Sequence, residues 1–174
     1  MHGTRRWTDN ISGRGTIKVE PLEWLALEFL CFNMRAIDAS EIYGNLPTDN
    51  PLELAALMHQ AVARCGCGYI GRLDGRPALA MMVFEQWPGN WQIASFGTQD
   101  YVRVLVAMRD KFDNMIAFAR DHGMHRLECK SLAGHHEAHG FLKLMGFQRE
   151  AVLHQYGRDG ADYLCYAKLW QRSG

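Results

Sequence analysis

The stretch LECKSLAGHHEAHGFLKLMGFQREAVLHQYGRDGADYLCYAKLW, residues 127–170, decides the fold, because it sets a strand, a helix and a two-stranded hairpin in an order few folds use. The alternating run Arg126-Leu127-Glu128-Cys129-Lys130 reads as a strand, and Ser131-Leu132-Ala133-Gly134 turns it into a helical pattern over 135–145. Gly146 ends that helix as a left-handed C-terminal glycine. From Phe147 to Gln155 the chain alternates again, with Phe147, Ala151 and Leu153 on one face. Gly157-Arg158-Asp159-Gly160 supplies a turn, and 163–170 is a final, aromatic-rich strand.

Working outward, residues 1–14 are polar and glycine-bearing and read as an arm, which leaves 15–174 as one domain. Thr16-Ile17-Lys18-Val19 suits a first strand. Pro21 suits the first turn of a helix in which Leu22, Leu25, Ala26, Phe29 and Leu30 share a face, with its exit at Met34. Asn50 before Pro51 signals a second helix, whose apolar period runs through Leu52, Ala55, Ala56, Met58, His59 and Val62 to Gly66 and Gly68. Tyr69-Ile70-Gly71-Arg72-Leu73, the Asp74-Gly75 turn and 78–85 predict a hairpin, and 91–96 a further strand. Thr98 or Asp100 caps a long helix striped by Val102, Leu105, Val106, Met108, Phe112, Met115, Ile116 and Ala119, which Asp121-His122-Gly123 ends. The sum is an α+β sandwich: a mixed sheet of about seven strands flanked by about four helices.

A chain of 174 residues with 48% hydrophobic content can bury one sizeable core. Its 19 basic residues balance 19 acidic ones, so no global field recruits nucleic acid or a membrane surface. No apolar run reaches the roughly 20 residues of a membrane span. Met1-His2-Gly3-Thr4-Arg5-Arg6-Trp7 lacks the apolar core of a secretory signal, so synthesis in a cytoplasm is expected. The five cysteines are odd in number and scattered, which predicts reduced thiols. Cys65-Gly66-Cys67 has no second pair beside it and reads as packing rather than a metal site.

Phe141-Leu142-Lys143-Leu144-Met145-Gly146-Phe147-Gln148-Arg149-Glu150, followed by Tyr156-Gly157-Arg158-Asp159-Gly160 and Tyr166-Ala167-Lys168-Leu169, resembles the C-terminal half of GNAT-fold N-acetyltransferases. In that family a Gly-Phe pair closes the helix before a strand that splays away, so the resemblance implies a centrally splayed sheet. More narrowly, the chain resembles GNAT-like virion proteins of short-tailed bacteriophages, internal virion proteins among them. That likeness rests on Phe32-Asn33-Met34-Arg35 with Asp38 and Glu41, on 87–97, and on 128–160.

The resemblance also implies where chemistry should sit. GNAT enzymes hold the acetyl-CoA pyrophosphate on backbone N–H groups at the start of the long helix after the fourth strand, where the helix dipole favours anions. Their signature is Arg or Gln, two residues, Gly, one residue, Gly or Ala. The matching segment here is Phe96-Gly97-Thr98-Gln99-Asp100-Tyr101-Val102-Arg103, with a single glycine. Asp100 sets a negative charge where phosphates would lie, a contact that costs on the order of several kcal/mol at about 4 Å. Gly97, Thr98, Gln99, Asp100 and Arg103 therefore read as a degenerate cofactor loop, and no cofactor is expected. The tyrosine that should protonate the departing thiolate falls on Leu142, which has no proton to give.

His135-His136-Glu137-Ala138-His139 invites a metal reading, but His-Glu followed by two residues and His would need histidine where Gly140 stands, so no metal is expected. Glu137 suits the dipole of a helix N-terminus. If acyl transfer survives, His136, Glu137 and His139 are the acid/base candidates. Trp87, Trp91 and Phe96 read as core against the long helix, and Arg35, Asp38 and Glu41 as a solvated, locally paired loop after the first helix. The expected function is that of a non-catalytic virion structural or accessory protein. It would be made in a host cytoplasm, carried in the virion and bound to other virion proteins, with a homo-oligomer one arrangement open to it. The alternative is an acyl-CoA-dependent N-acetyltransferase, using acetyl-CoA through a divergent cofactor loop.

Overall fold

The computed structural model describes residues 15–171, so the N-terminal arm expected over 1–14 lies outside the described residues. The elements are β1 (Ile17–Pro21), α1 (Trp24–Asn33), α2 (Ala36–Gly44), α3 (Pro51–Cys65), β2 (Gly66–Leu73), β3 (Arg76–Trp87), β4 (Asn90–Gly97), α4 (Tyr101–Asp121), β5 (Arg126–Leu132), α5 (His136–Leu144), β6 (Gln148–Leu153) and β7 (Tyr163–Leu169). The strands form one sheet in the order β1-β2-β3-β4-β5-β7-β6. All neighbours are antiparallel except β4 and β5.

Helices cover both faces. On one, Val104, Met108, Phe112 and Met115 of α4 and Leu142 of α5 pack with Met81, Val83, Trp91, Leu127 and Tyr166. On the other, Leu27 and Leu30 of α1 and Leu54 and Ala55 of α3 pack with Ile70, Ala80, Met82, Phe84 and Phe96. β3 feeds both cores in alternation, which is why its central residues are all buried.

Several helical faces differ from the expected ones. Pro21 closes β1 instead of opening α1, and α1 buries Ala26, Leu27, Leu30 and Cys31 while Leu25 faces solvent. On α4 the buried stripe runs through Val104, and Val102 and Val106 are exposed. The phase is set by β2, where Gly71 leaves room for Val104: a Cβ there would stand 3.1 Å from a Val104 methyl. β6 is an outer strand with a register shift between Arg149 and Ala151, so of the expected apolar face Phe147 is buried, Leu153 is half-buried and Ala151 is exposed. A fifth helix, α2, occupies the region where the sequence pattern predicts a polar loop.

Strand β4 pairs with β5 over only three residues, Asn90 with Arg126, Trp91 with Leu127 and Gln92 with Glu128. Beyond them the strands part, which gives the sheet its central splay. α5 is held against this opening by its C-terminal motif. Gly146, at φ +84°, donates to the Lys143 carbonyl at 3.0 Å, and Phe147 N–H donates to the Leu142 carbonyl at 3.0 Å. Gly146→Ala should therefore lose about 1–2 kcal/mol in urea unfolding, the cost of a left-handed residue with a Cβ. Gly140→Ala, mid-helix with open space around it, should gain up to about 1 kcal/mol.

Candidate functional site

Where β4 and β5 part, each turns an unpaired edge toward the gap, and buried backbone groups need partners. The short helix α2 supplies them. Asp38 Oδ2 accepts the Gly97 N–H at 2.9 Å, and the Arg35 N–H donates to the Gly97 carbonyl at 2.9 Å. One turn later, Glu41 Oε2 accepts the Leu132 N–H at 2.8 Å, the Ser131 hydroxyl at 2.6 Å and His135 Nδ1–H at 3.0 Å. Spaced i, i+3, the two carboxylates share a helix face and join the separated strands across the splay. The solvated-loop reading of Arg35, Asp38 and Glu41 is thus corrected: the Asp38 and Glu41 side chains are 4% and 13% exposed. Arg35 with Asp38 is the local i,i+3 pair the sequence predicts, whereas the other partners, the Gly97 and Leu132 N–H groups, the Ser131 hydroxyl and His135, lie far along the chain.

Arg35 ties α2 to two further helices. Its guanidinium donates to both Asp38 oxygens, Nε to Oδ2 at 3.2 Å and Nη2 to Oδ1 at 2.7 Å. It lies 3.6 Å over the Tyr101 ring, and Nη1 donates to Glu137 Oε2 at 2.8 Å. The Tyr101 hydroxyl donates to the same Glu137 oxygen at 2.9 Å. Burial disfavours the Arg35 charge, but the bonds to Asp38 and Glu137 outweigh it and keep the group cationic. The Arg35 and Tyr101 hydrogen bonds hold the Glu137 carboxyl below the usual carboxylate range. For His135, burial opposes protonation, yet the Glu41 hydrogen bond and the charges of Glu41 and Asp38 push its pKa above the ordinary histidine value.

A cavity of about 410 Å³ opens in the splay, walled by Leu57, Met58, Phe84, Ile93, Phe141 and Leu142, with Glu41, Lys130 and Tyr156 among its polar groups. A second cavity of about 90 Å³ lies under the Arg35–Glu137 pair and shares Glu41, Ser95, Phe96, Ala138 and Phe141 with the first. Phe96 lines both and is core on the α1–α3 face instead of the expected α4 face, Trp91 is core against α4, and Trp87 is exposed.

The segment Gly97 to Arg103 does not form an anion cradle. Thr98 N–H donates to the Ala78 carbonyl at 2.9 Å, Tyr101 N–H to the Thr98 carbonyl at 3.1 Å and Arg103 N–H to the Asp100 carbonyl at 3.0 Å. Asp100 N–H bonds Thr98 Oγ1 at 3.3 Å. Asp100 makes no side-chain cap, and its carboxylate lies 3.7 Å from the Arg103 guanidinium. Gly97 serves packing, since a Cβ there would stand 2.8 Å from Tyr101 Cβ and closer still to the Ala78 carbonyl. These residues do not fit a pyrophosphate.

Of the acid/base candidates, His136 and His139 meet edge to face with ring centroids 5.7 Å apart, and Glu137 stands in a separate cluster. His136 is exposed, Glu137 belongs to the Arg35–Tyr101 cluster, and His139 is buried, with Nε2 bonded to the Leu132 carbonyl at 3.1 Å and its pKa lowered by burial. Leu142 presents an apolar side chain to the cavity. Tyr163, pushed up to about 12 by burial, donates to the Glu41 carbonyl at 2.6 Å, and Tyr166 stacks on His139. Among the described residues no three His, Cys, Asp or Glu side chains stand together as metal ligands.

No family model and no curated protein sequence matches the chain. Solved structures do match its fold. A ribosomal-protein-alanine N-acetyltransferase from Brucella melitensis superposes with a TM-score of 0.68 at 16% identity, over 88% of this chain and 99% of that one. Ard1 from Thermoplasma volcanium gives 0.66 at 13%, over 90% and 99%. A ribosomal L7/L12 α-N-protein acetyltransferase in complex with coenzyme A gives 0.64 at 13%, over 88% and 94%. At such identities the likeness establishes the fold: the chain has the GNAT fold, a mixed seven-stranded sheet with five helices among the described residues.

Two outcomes follow for the α2 bridge. Glu41→Ala leaves the Leu132 N–H, the Ser131 hydroxyl and His135 without their acceptor and should cost about 3 kcal/mol in urea unfolding, against about 1 kcal/mol for Ser131→Ala. The raised His135 pKa makes its protonated form stabilising, fully so below the unfolded value of about 6.5 and lost as pH rises through the folded value. The stability gap between wild type and His135→Gln should therefore be widest below about pH 6.5 and shrink as the pH rises above it.

Proposed function

We propose that this chain is a GNAT-fold binding module whose cleft does not serve acetyl-CoA. One observation carries the reading: the N–H groups of Thr98, Asp100, Tyr101 and Arg103, together with both backbone groups of Gly97, are bonded within the protein. An incoming pyrophosphate would have to break bonds that the fold itself uses. Leu142 in place of a proton donor supports the same conclusion. The apolar cavity in the splay remains concave and accessible, the form in which pockets take an apolar group with a few polar anchors. The resemblance to virion proteins of short-tailed bacteriophages supports a setting in the particle, with other virion proteins as partners.

Acyl transfer is the second reading, favoured by the acetyltransferase neighbours and by the intact splay between β4 and β5. Calorimetric titration with acetyl-CoA separates the two, since it assumes no acceptor. We expect no saturable heat at micromolar ligand. Saturable binding would put acyl transfer first.

A further inference from the structure

We propose that the outer face of α1 is the contact surface of a symmetric dimer of this chain, in which two copies of α1 pack antiparallel about a two-fold axis. The sequence of α1, WLALEFLCFN, holds one charged residue, Glu28, in ten. A helix apolar on every side is one covered on every side, yet the fold covers only half of this one. Ala26, Leu27, Leu30 and Cys31 are buried, while Leu25 is 71% and Phe32 57% exposed. Seven residues apart, those two share the outward face, and Phe29 stands between them, half-buried. Trp24 extends the patch toward α3, where its ring meets His59 edge to face at 5.5 Å, and His59 lies two turns after the exposed Leu52. The exposed parts of these side chains make an apolar surface on the order of 400 Å², within the range where a patch marks an interaction site.

The pattern is self-complementary, which singles out a second copy as the partner. Leu25, Glu28, Phe29 and Phe32 are placed symmetrically about the middle of the stripe. A two-fold axis through that point sets Leu25 against Phe32 of the second copy, and Phe32 against its Leu25. It also carries Glu28, on one flank of α1, to the flank of the second copy that holds Phe29. On that flank Phe29 and Asn33 border a depression of about 380 Å³ whose rim includes Arg76. Arg76 is exposed, and neither it nor Glu28 makes a hydrogen bond or ion pair among the described residues. The acids of the same rim are engaged: Asp74 accepts the Thr16 N–H at 2.7 Å, and Asp100 lies 3.7 Å from the Arg103 guanidinium. Each copy thus offers an unpaired anion on the side where the other offers an unpaired cation, and the antiparallel helix dipoles add to the attraction. With this polar rim the patch approaches the roughly 800 Å² per partner of a specific interface.

Trp24, Leu25, Glu28 and Phe32 line neither cavity of the splay, so the proposal stands apart from both readings of the cleft.

Sedimentation velocity of the full chain over a concentration series tests it. We expect a dimer that dissociates on dilution. Phe32→Glu, at an exposed position and with folding checked by circular dichroism, should weaken the dimer at least about tenfold, because the charge enters the apolar centre twice. Glu28→Arg and Arg76→Glu should each weaken it at least about threefold. The double variant should recover most of that loss, since the swap restores both pairs. A chain that stays monomeric at hundreds of micromolar would overturn the proposal, as would a dimer indifferent to Phe32→Glu. A dimer weakened by each charge reversal and not recovered by the two together would overturn the antiparallel pairing.

Discussion

A sheet that opens at its centre strands backbone donors and acceptors in a dry place, and two carboxylates one turn apart on α2 resolve that problem here. Asp38 takes the edge of β4 and Glu41 the edge of β5. Charge-assisted bonds to buried N–H groups are strong, and removing one partner exposes the full desolvation cost of the other. The dependence runs both ways. α2 is only nine residues long and carries no side-chain N-cap, so its position rests on these long-range bonds more than on intrinsic helicity. The Tyr163 hydroxyl on the Glu41 carbonyl, and the Arg158 N–H on the Gly44 carbonyl at 2.7 Å, add anchors from the C-terminal hairpin.

The same bonds govern what the cleft can accept. In the GNAT fold the splay and the start of the long helix are where a nucleotide thioester would be held; in this chain internal partners take up the start of the helix, while the splay keeps a cavity of about 410 Å³. Gly97 is bonded on both sides by α2, the Tyr101 and Arg103 N–H groups bond the Thr98 and Asp100 carbonyls, and Arg35, Tyr101 and Glu137 join three helix starts. The architecture of the fold is retained, and architecture by itself does not fix an activity.

Much of this was legible in local signals. The Gly146-Phe147 pair, the Asn50-Pro51 start and the tight turns each bring their own geometry, so the elements and their order follow from short-range rules. The helical phases were less legible, because Leu25, Val102 and Val106 are as apolar as the residues buried beside them, and only a facing strand chooses between them. The site was least legible. Arg35, Asp38 and Glu41 have the spacing of a solvated helix face, and nothing local announces that their partners lie about sixty to a hundred residues away at Gly97, Leu132 and Glu137. His135 was visible as one of a histidine run, yet its role comes from the two acids packed on it.

The three residue pairs that join β4 to β5 divide the sheet into halves that are each continuous in the chain, β1 to α4 and β5 to β7. The first half contains a core on both faces, whereas the second, a strand, a helix and a hairpin, has a core on one face alone, where α5 packs with Leu127, Leu164 and Tyr166. Such an arrangement favours two cooperative opening units of unequal depth. In amide exchange the C-terminal unit would lose protection first, and the Leu132 N–H, held by a side chain from the other half, would report the moment the halves part.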